Sequence, residues 1–92
     1  MDFAEALDAC PLVAILRGIK PEEIDDISDA LFEAGIRIIE VPLNSPEPLR
    51  SIERLAERHG DHALIGAGTV MTPEDVIDIP EAGAELIVMT HK

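Results

Sequence analysis

Arg17, Glu40 and Thr69 are the residues of this 92-residue chain in which reactive chemistry coincides with a telling position. Arg17 closes the apolar run Leu12-Val13-Ala14-Ile15-Leu16, Glu40 interrupts Ile38-Ile39-Glu40-Val41, and Thr69 follows Gly66-Ala67-Gly68. A carboxylate inside an apolar strand is costly unless paired, and Arg17 at a neighbouring strand end is the natural partner. Two readings stay open at this point. One is a structural ion pair; the other is a general acid/base whose proton affinity is raised by burial and restrained by the guanidinium. Period-two alternation puts Val13, Ile15 and Arg17 on one face, Ile36, Ile38 and Glu40 on one face, and Ile65, Ala67 and Thr69 on one face. It predicts that all three polar residues point into a common cavity.

Other motifs carry less. Gly66-Ala67-Gly68-Thr69-Val70-Met71 lacks the third glycine of a dinucleotide fingerprint and the Gly-Lys-Ser/Thr of a P-loop. It reads as a tight strand-end turn whose small residues leave room for a ligand, or simply as packing. His59-Gly60-Asp61-His62 has metal-like spacing, but it falls in a helix-to-strand loop on the side away from the site, which predicts a solvated loop and no metal. Cys10 is the single cysteine, so an internal disulfide is excluded and a small apolar role before the first strand is expected.

The elements that position these residues alternate in period. Strand one is expected at Leu12 to Leu16. A helix follows with Pro21 in its first turn, Glu22 and Glu23 at the positive end of its dipole, and Ile24, Ile27, Leu31 and Ala34 facing inward, stopped by Gly35. Strand two, Ile36 to Leu43, is nearly continuous in apolar residues, as for a parallel strand covered on both faces. Ser45 is expected to cap a second helix with Pro46 at its first position and Leu49, Ile52, Leu55 and Ala56 inward, ending near Gly60. Strand three spans Ala63 to Ala67, and Thr72-Pro73-Glu74-Asp75 opens a third helix that Pro80 should kink or end early. Strand four is Leu86 to Met89. The stretch Glu33 to Ile39 is echoed by Glu81 to Ile87 two βα units later.

Strands alternating with helices predict an α/β fold of parallel βα units with right-handed crossovers, the N-terminal half, about four strands, of an eight-stranded TIM (βα)8 barrel. Residues 1–92 are expected to form a single truncated half-barrel domain whose outer strands are open edges. Hydrophobic residues make up 47% and charged ones 28%, enough for a packed core. A chain this short buries only about 60 to 65% of its extended surface, and two Phe with no Tyr or Trp weaken the core further, so a partner is expected. A formal charge of -12 repels phosphate backbones and anionic lipid, arguing against nucleic-acid and membrane partners. Acidic residues near Met1, with no apolar run long enough to span a bilayer, predict a cytoplasmic protein.

Three segments together resemble the aldolases acting on 2-keto-3-deoxy-6-phospho sugar acids, most closely their phosphogalactonate branch. These are Pro11-Leu12-Val13-Ala14-Ile15-Leu16-Arg17-Gly18, Ile39-Glu40-Val41-Pro42-Leu43-Asn44-Ser45-Pro46 and Leu64-Ile65-Gly66-Ala67-Gly68-Thr69-Val70. The resemblance covers about Pro11 to Val88. It implies a class I lyase without metal or other cofactor, on a βα barrel and usually trimeric, that yields pyruvate and glyceraldehyde 3-phosphate from a phosphorylated keto sugar acid. Glu40 then matches the proton-shuttling glutamate and Arg17 the arginine that binds the substrate carboxylate and helps set that glutamate. Thr69 matches a threonine near the pyruvyl moiety. Asn44 stands where phosphogluconate aldolases have arginine, which favours the galactonate branch.

In the family the Schiff-base lysine lies on strand six and the phosphate site near strands seven and eight. The lysines here are Lys20, expected to be exposed at the start of the first helix, and Lys92, beside the terminal carboxylate. Met89-Thr90-His91-Lys92 also departs from the family's Ser-Pro-Asn type turn. Truncation and lack of turnover by these residues alone are therefore expected. The alternative is a non-catalytic half-barrel that self-associates, two copies closing eight strands around small anionic acids.

Overall fold

A computed structural model describes residues 2–68, 78, 80–84 and 86–88. The chain opens with a helix, α1 (Phe3–Ala9), which the periodicity did not predict. Its start is fixed by Asp2, whose carboxylate accepts the Glu5 N–H at 2.8 Å. Then come β1 (Val13–Ile15), a single 3-10 turn (Pro21–Glu23), α2 (Ile24–Glu33), β2 (Ile38–Pro42), α3 (Pro48–His59), β3 (Leu64–Gly68) and β4 (Leu86–Val88). The strands lie in the order β1-β2-β3-β4, every pair parallel.

Pairing fixes which residues share a face. Val13 pairs with Ile38 and Ile38 with Leu64; Ile15 pairs with Glu40 and Glu40 with Gly66. On the opposite face Ile39 pairs with Ile65 and Val41 with Ala67. That second face carries the main core, where these four pack with Ile24, Ile52 and Leu55 of α2 and α3. The Glu40 face is covered lower down by α1, whose Ala6 packs with Ile38 and Leu64. Both β2 and β3 are buried throughout, as a doubly covered parallel strand requires. β1 is an edge, with Val13 45% and Ile15 56% exposed.

Gly35 ends α2 at φ 100° with the Ile36 N–H closing back on the Leu31 carbonyl, as expected. The inward stripe of α2 is different from the one expected. Ile24 and Ser28 are buried and Phe32 packs on the core, while Ile27 and Ala34 are exposed. A serine can face inward because its hydroxyl donates to the Asp25 carbonyl and lies within hydrogen-bond distance of His59 Nε2, 3.1 Å away.

His59 accordingly does not lie in a solvated loop. It is the last residue of α3, buried, stacked on Phe32 at 4.9 Å and 3.0 Å from Asp29. With Arg54 on Asp25 and Arg58 on Asp29, it ties α3 to α2. Pro80 does not stop its helix, since residues 80–82 are helical and the chain turns at Gly83, φ 111°. The expected start of that helix, at Thr72 to Asp75, lies outside the described residues. No helix among the described residues is long and apolar enough to cross a membrane.

Candidate functional site

Glu40 sits in the middle of β2 because the apolar residues on either side hold the strand between two layers, and alternation turns position 40 away from the helix-side core. It is 7% exposed. Burial raises its proton affinity above that of an ordinary glutamate, and the positive charge of Arg17 pulls the other way. Among the described residues the carboxylate makes no ion pair, so the structural Arg17–Glu40 bridge is not formed. Arg17 is exposed just beyond β1, and its guanidinium donates to Asn44 Oδ1 at 3.4 Å.

The strand opposite Glu40 is bare. Gly66 stands across from it and Gly68 one step further on the same face, so β3 presents backbone where side chains would otherwise fill the space. A Cβ built on Gly68 would stand 2.7 Å from Glu40 Cδ and closer still to Oε2.

Ser45 organises the loops that carry Arg17 and Asn44. Its hydroxyl accepts the Gly18 N–H at 3.0 Å and donates toward the Leu16 carbonyl at 3.5 Å, gripping the backbone on both sides of Arg17. It therefore does not cap α3, which starts at Pro48 after Glu47 in a left-handed conformation. Below this, the Leu16 N–H donates to the Glu40 carbonyl at 2.9 Å and extends the β1–β2 ladder to the site.

The structure thus brings Arg17 and Asn44 together just beyond β1 and β2, with Glu40 buried in the middle of β2. Thr69 lies outside the described residues. Its expected face-mate Ala67 does not share the Glu40 face: paired with Val41, it is part of the helix-side core. Alternation orders faces within a strand, but only pairing relates one strand to the next, and pairing sets Gly66 rather than Ala67 opposite Glu40. Sequence reasoning had no role for Ser45 here or for Gly68 as a neighbour of the carboxylate. The signal for Gly68 was the second glycine two residues after the first, on one face of a strand.

Among the described residues no group of three or more His, Cys, Asp or Glu is arranged to hold a metal ion. A groove of about 370 Å³ opens beside Arg17 along the β1 edge, walled by Ile15, Ile19, Glu23 and Ile27; Glu40 does not line it. What these groups can do is chemical positioning: a guanidinium and an amide side by side to hold a carboxylate, and a shielded carboxyl group to take up or return a proton.

The family model "Aldolase: KDPG and KHG aldolase" matches residues 3–90. Over 78 residues the chain is 50% identical to a probable 2-dehydro-3-deoxy-6-phosphogalactonate aldolase of Rhizobium meliloti (strain 1021), covering 85% of this chain and 37% of that protein. It is 49% identical to the 2-dehydro-3-deoxy-6-phosphogalactonate aldolase of Escherichia coli (strain K12), covering 85% and 38%. A solved structure described as native KDPGal superposes with a TM-score of 0.83 at 46% identity, covering 89% of this chain and 40% of that one. A KDPG aldolase of Legionella pneumophila, with pyruvate captured as a covalent carbinolamine, matches with a TM-score of 0.81 at 32% identity, covering 95% and 42%. The chain spans a little over a third of the length of these curated relatives.

Proposed function

The chain belongs to the KDPG and KHG aldolase family, its parallel βα units being the N-terminal part of a TIM (βα)8 barrel, and from that premise we propose that it supplies the proton-transfer and carboxylate-binding side of a class I aldolase. The reaction is cleavage of 2-dehydro-3-deoxy-6-phosphogalactonate to pyruvate and glyceraldehyde 3-phosphate. The observation that carries this reading is Glu40, a buried carboxyl group with raised proton affinity and no ion pair among the described residues, within the field of an arginine that is itself held by Asn44.

Cleaving a carbon–carbon bond next to a keto group needs an electron sink, which a lysine Schiff base supplies in this family. Lys20 is exposed, so among the described residues no apolar pocket surrounds its amine. Arg17 with Asn44 binds the carboxylate of the keto acid, and Glu40 moves the proton on the carbon beside the keto group. Thr69 is assigned to the pyruvyl moiety by its match to the family's motif alone. Asn44, where an arginine would add charge, selects the galactonate substrate.

Titrating pyruvate into the 15N-labelled chain tests this directly. Amides of Leu16 to Gly18, Glu40, Val41 and Leu43 to Ser45 should shift together, and their indifference to pyruvate overturns the proposal. Borohydride added to the same mixture should leave no pyruvyl adduct on these residues by mass spectrometry. A second reading, a non-catalytic half-barrel that self-associates, is favoured by the apolar strip along β1 formed by Leu12, Val13 and Ile15, each exposed.

A further inference from the structure

We propose that Gly68 is a positioning residue whose missing side chain is the space in which the Glu40 carboxylate rests. This deepens the reading of Glu40 as the proton carrier and rests on it.

Glycine is not required at position 68 by the backbone. The glycines with positive φ among the described residues are Gly18, Gly35 and Gly83, so an alanine at 68 meets no conformational penalty of that kind. What it meets is Glu40: the added carbon would lie 2.7 Å from Cδ, nearer than real Cβ atoms approach, and 3.2 Å from Oε1, tighter than most real contacts. The obstructing atoms are the far end of a flexible side chain. A methyl group at 68 therefore leaves the sheet in place and turns the carboxylate out of its niche.

The surroundings fix the direction of the effect. Facing Glu40 from β1 are Ile15 and, beyond the strand, Arg17; from β3 come Leu64, Gly66 and Gly68, and from α1 the packed residue is Ala6. Arg17 is the charged group that acts on the carboxylate, while Glu5 and Asp8 of α1 are exposed. Leaving the niche takes the carboxylate toward water or toward Arg17, and both favour its ionised form.

The test is a 13C-carboxyl NMR titration of Glu40 in the full chain, wild type and Gly68→Ala, with urea unfolding of both variants in Glu40→Ala backgrounds. The Glu40 midpoint should fall toward the ordinary glutamate value in Gly68→Ala, and any stability lost should return when Glu40→Ala is combined with it. If Gly68→Ala fails to fold while the double variant folds like Glu40→Ala, the proposal holds by the same logic. An unmoved Glu40 midpoint, or equal damage with and without the carboxylate, overturns it. No substrate enters this titration, so a chain inert toward pyruvate, which sinks the aldolase reading, leaves the outcome for Gly68 separately decided.

Discussion

Glu40 carries a consequence for stability as well as for chemistry. Its proton affinity is higher in the folded chain than in the unfolded one. Stability is thus full below the ordinary glutamate value, declines as pH rises through the interval up to the raised value, and is level above it. Glu40→Gln should flatten that interval and raise the urea midpoint at neutral pH; an unchanged pH slope would count against the burial argument. On the proposal that Glu40 carries the proton, the same change in a full-length barrel of the family should cost roughly 10² to 10⁴ in turnover. Glu40 was legible in the sequence because a carboxylate stands out in an apolar run. Gly68 was not, because a glycine that makes room for a neighbour and a glycine that makes a turn are the same letter. Ala67 was assigned to the wrong face because Gly-Ala-Gly offers no contrast of polarity from which inter-strand register can be read.

At the scale of elements, the apolar runs and the Gly35 stop located four strands and two helices to within a few residues, since burial on both faces leaves little else such sequences can do. The misses have local causes. The helix α1 is seven residues long and buries only Ala6, too short for a periodic signal, although Asp2-Phe3-Ala4-Glu5 fits the capping pattern that starts it. The start of α3 was misplaced because Ser45 looks like a cap, and its hydroxyl is instead spent on the Arg17 loop. Glu47 takes the junction before Pro48 at φ 41° and ψ 59°, a conformation that strains any side chain bearing a Cβ. Its ion pair with Arg50 is exposed and worth little. Glu47→Gly should therefore stabilise the chain by about 0.5 to 1 kcal/mol in chemical denaturation. A loss of similar size would mean that Glu47 is held by something other than backbone geometry.

For the molecule as a whole, the open β1 edge and the formal charge of -12 pull in opposite directions. Apolar edge strands favour association, and like-charged chains oppose it until salt screens them within about 8 to 10 Å. Light scattering should therefore show the average mass rising with protein concentration, and more steeply at high salt than at low. A single mass across both series would remove self-association from consideration. Strand order follows chain order without exception, β1 beside β2 beside β3 beside β4. A growing polypeptide on the ribosome can thus lay β2, β3 and β4 in turn, each against the strand just completed.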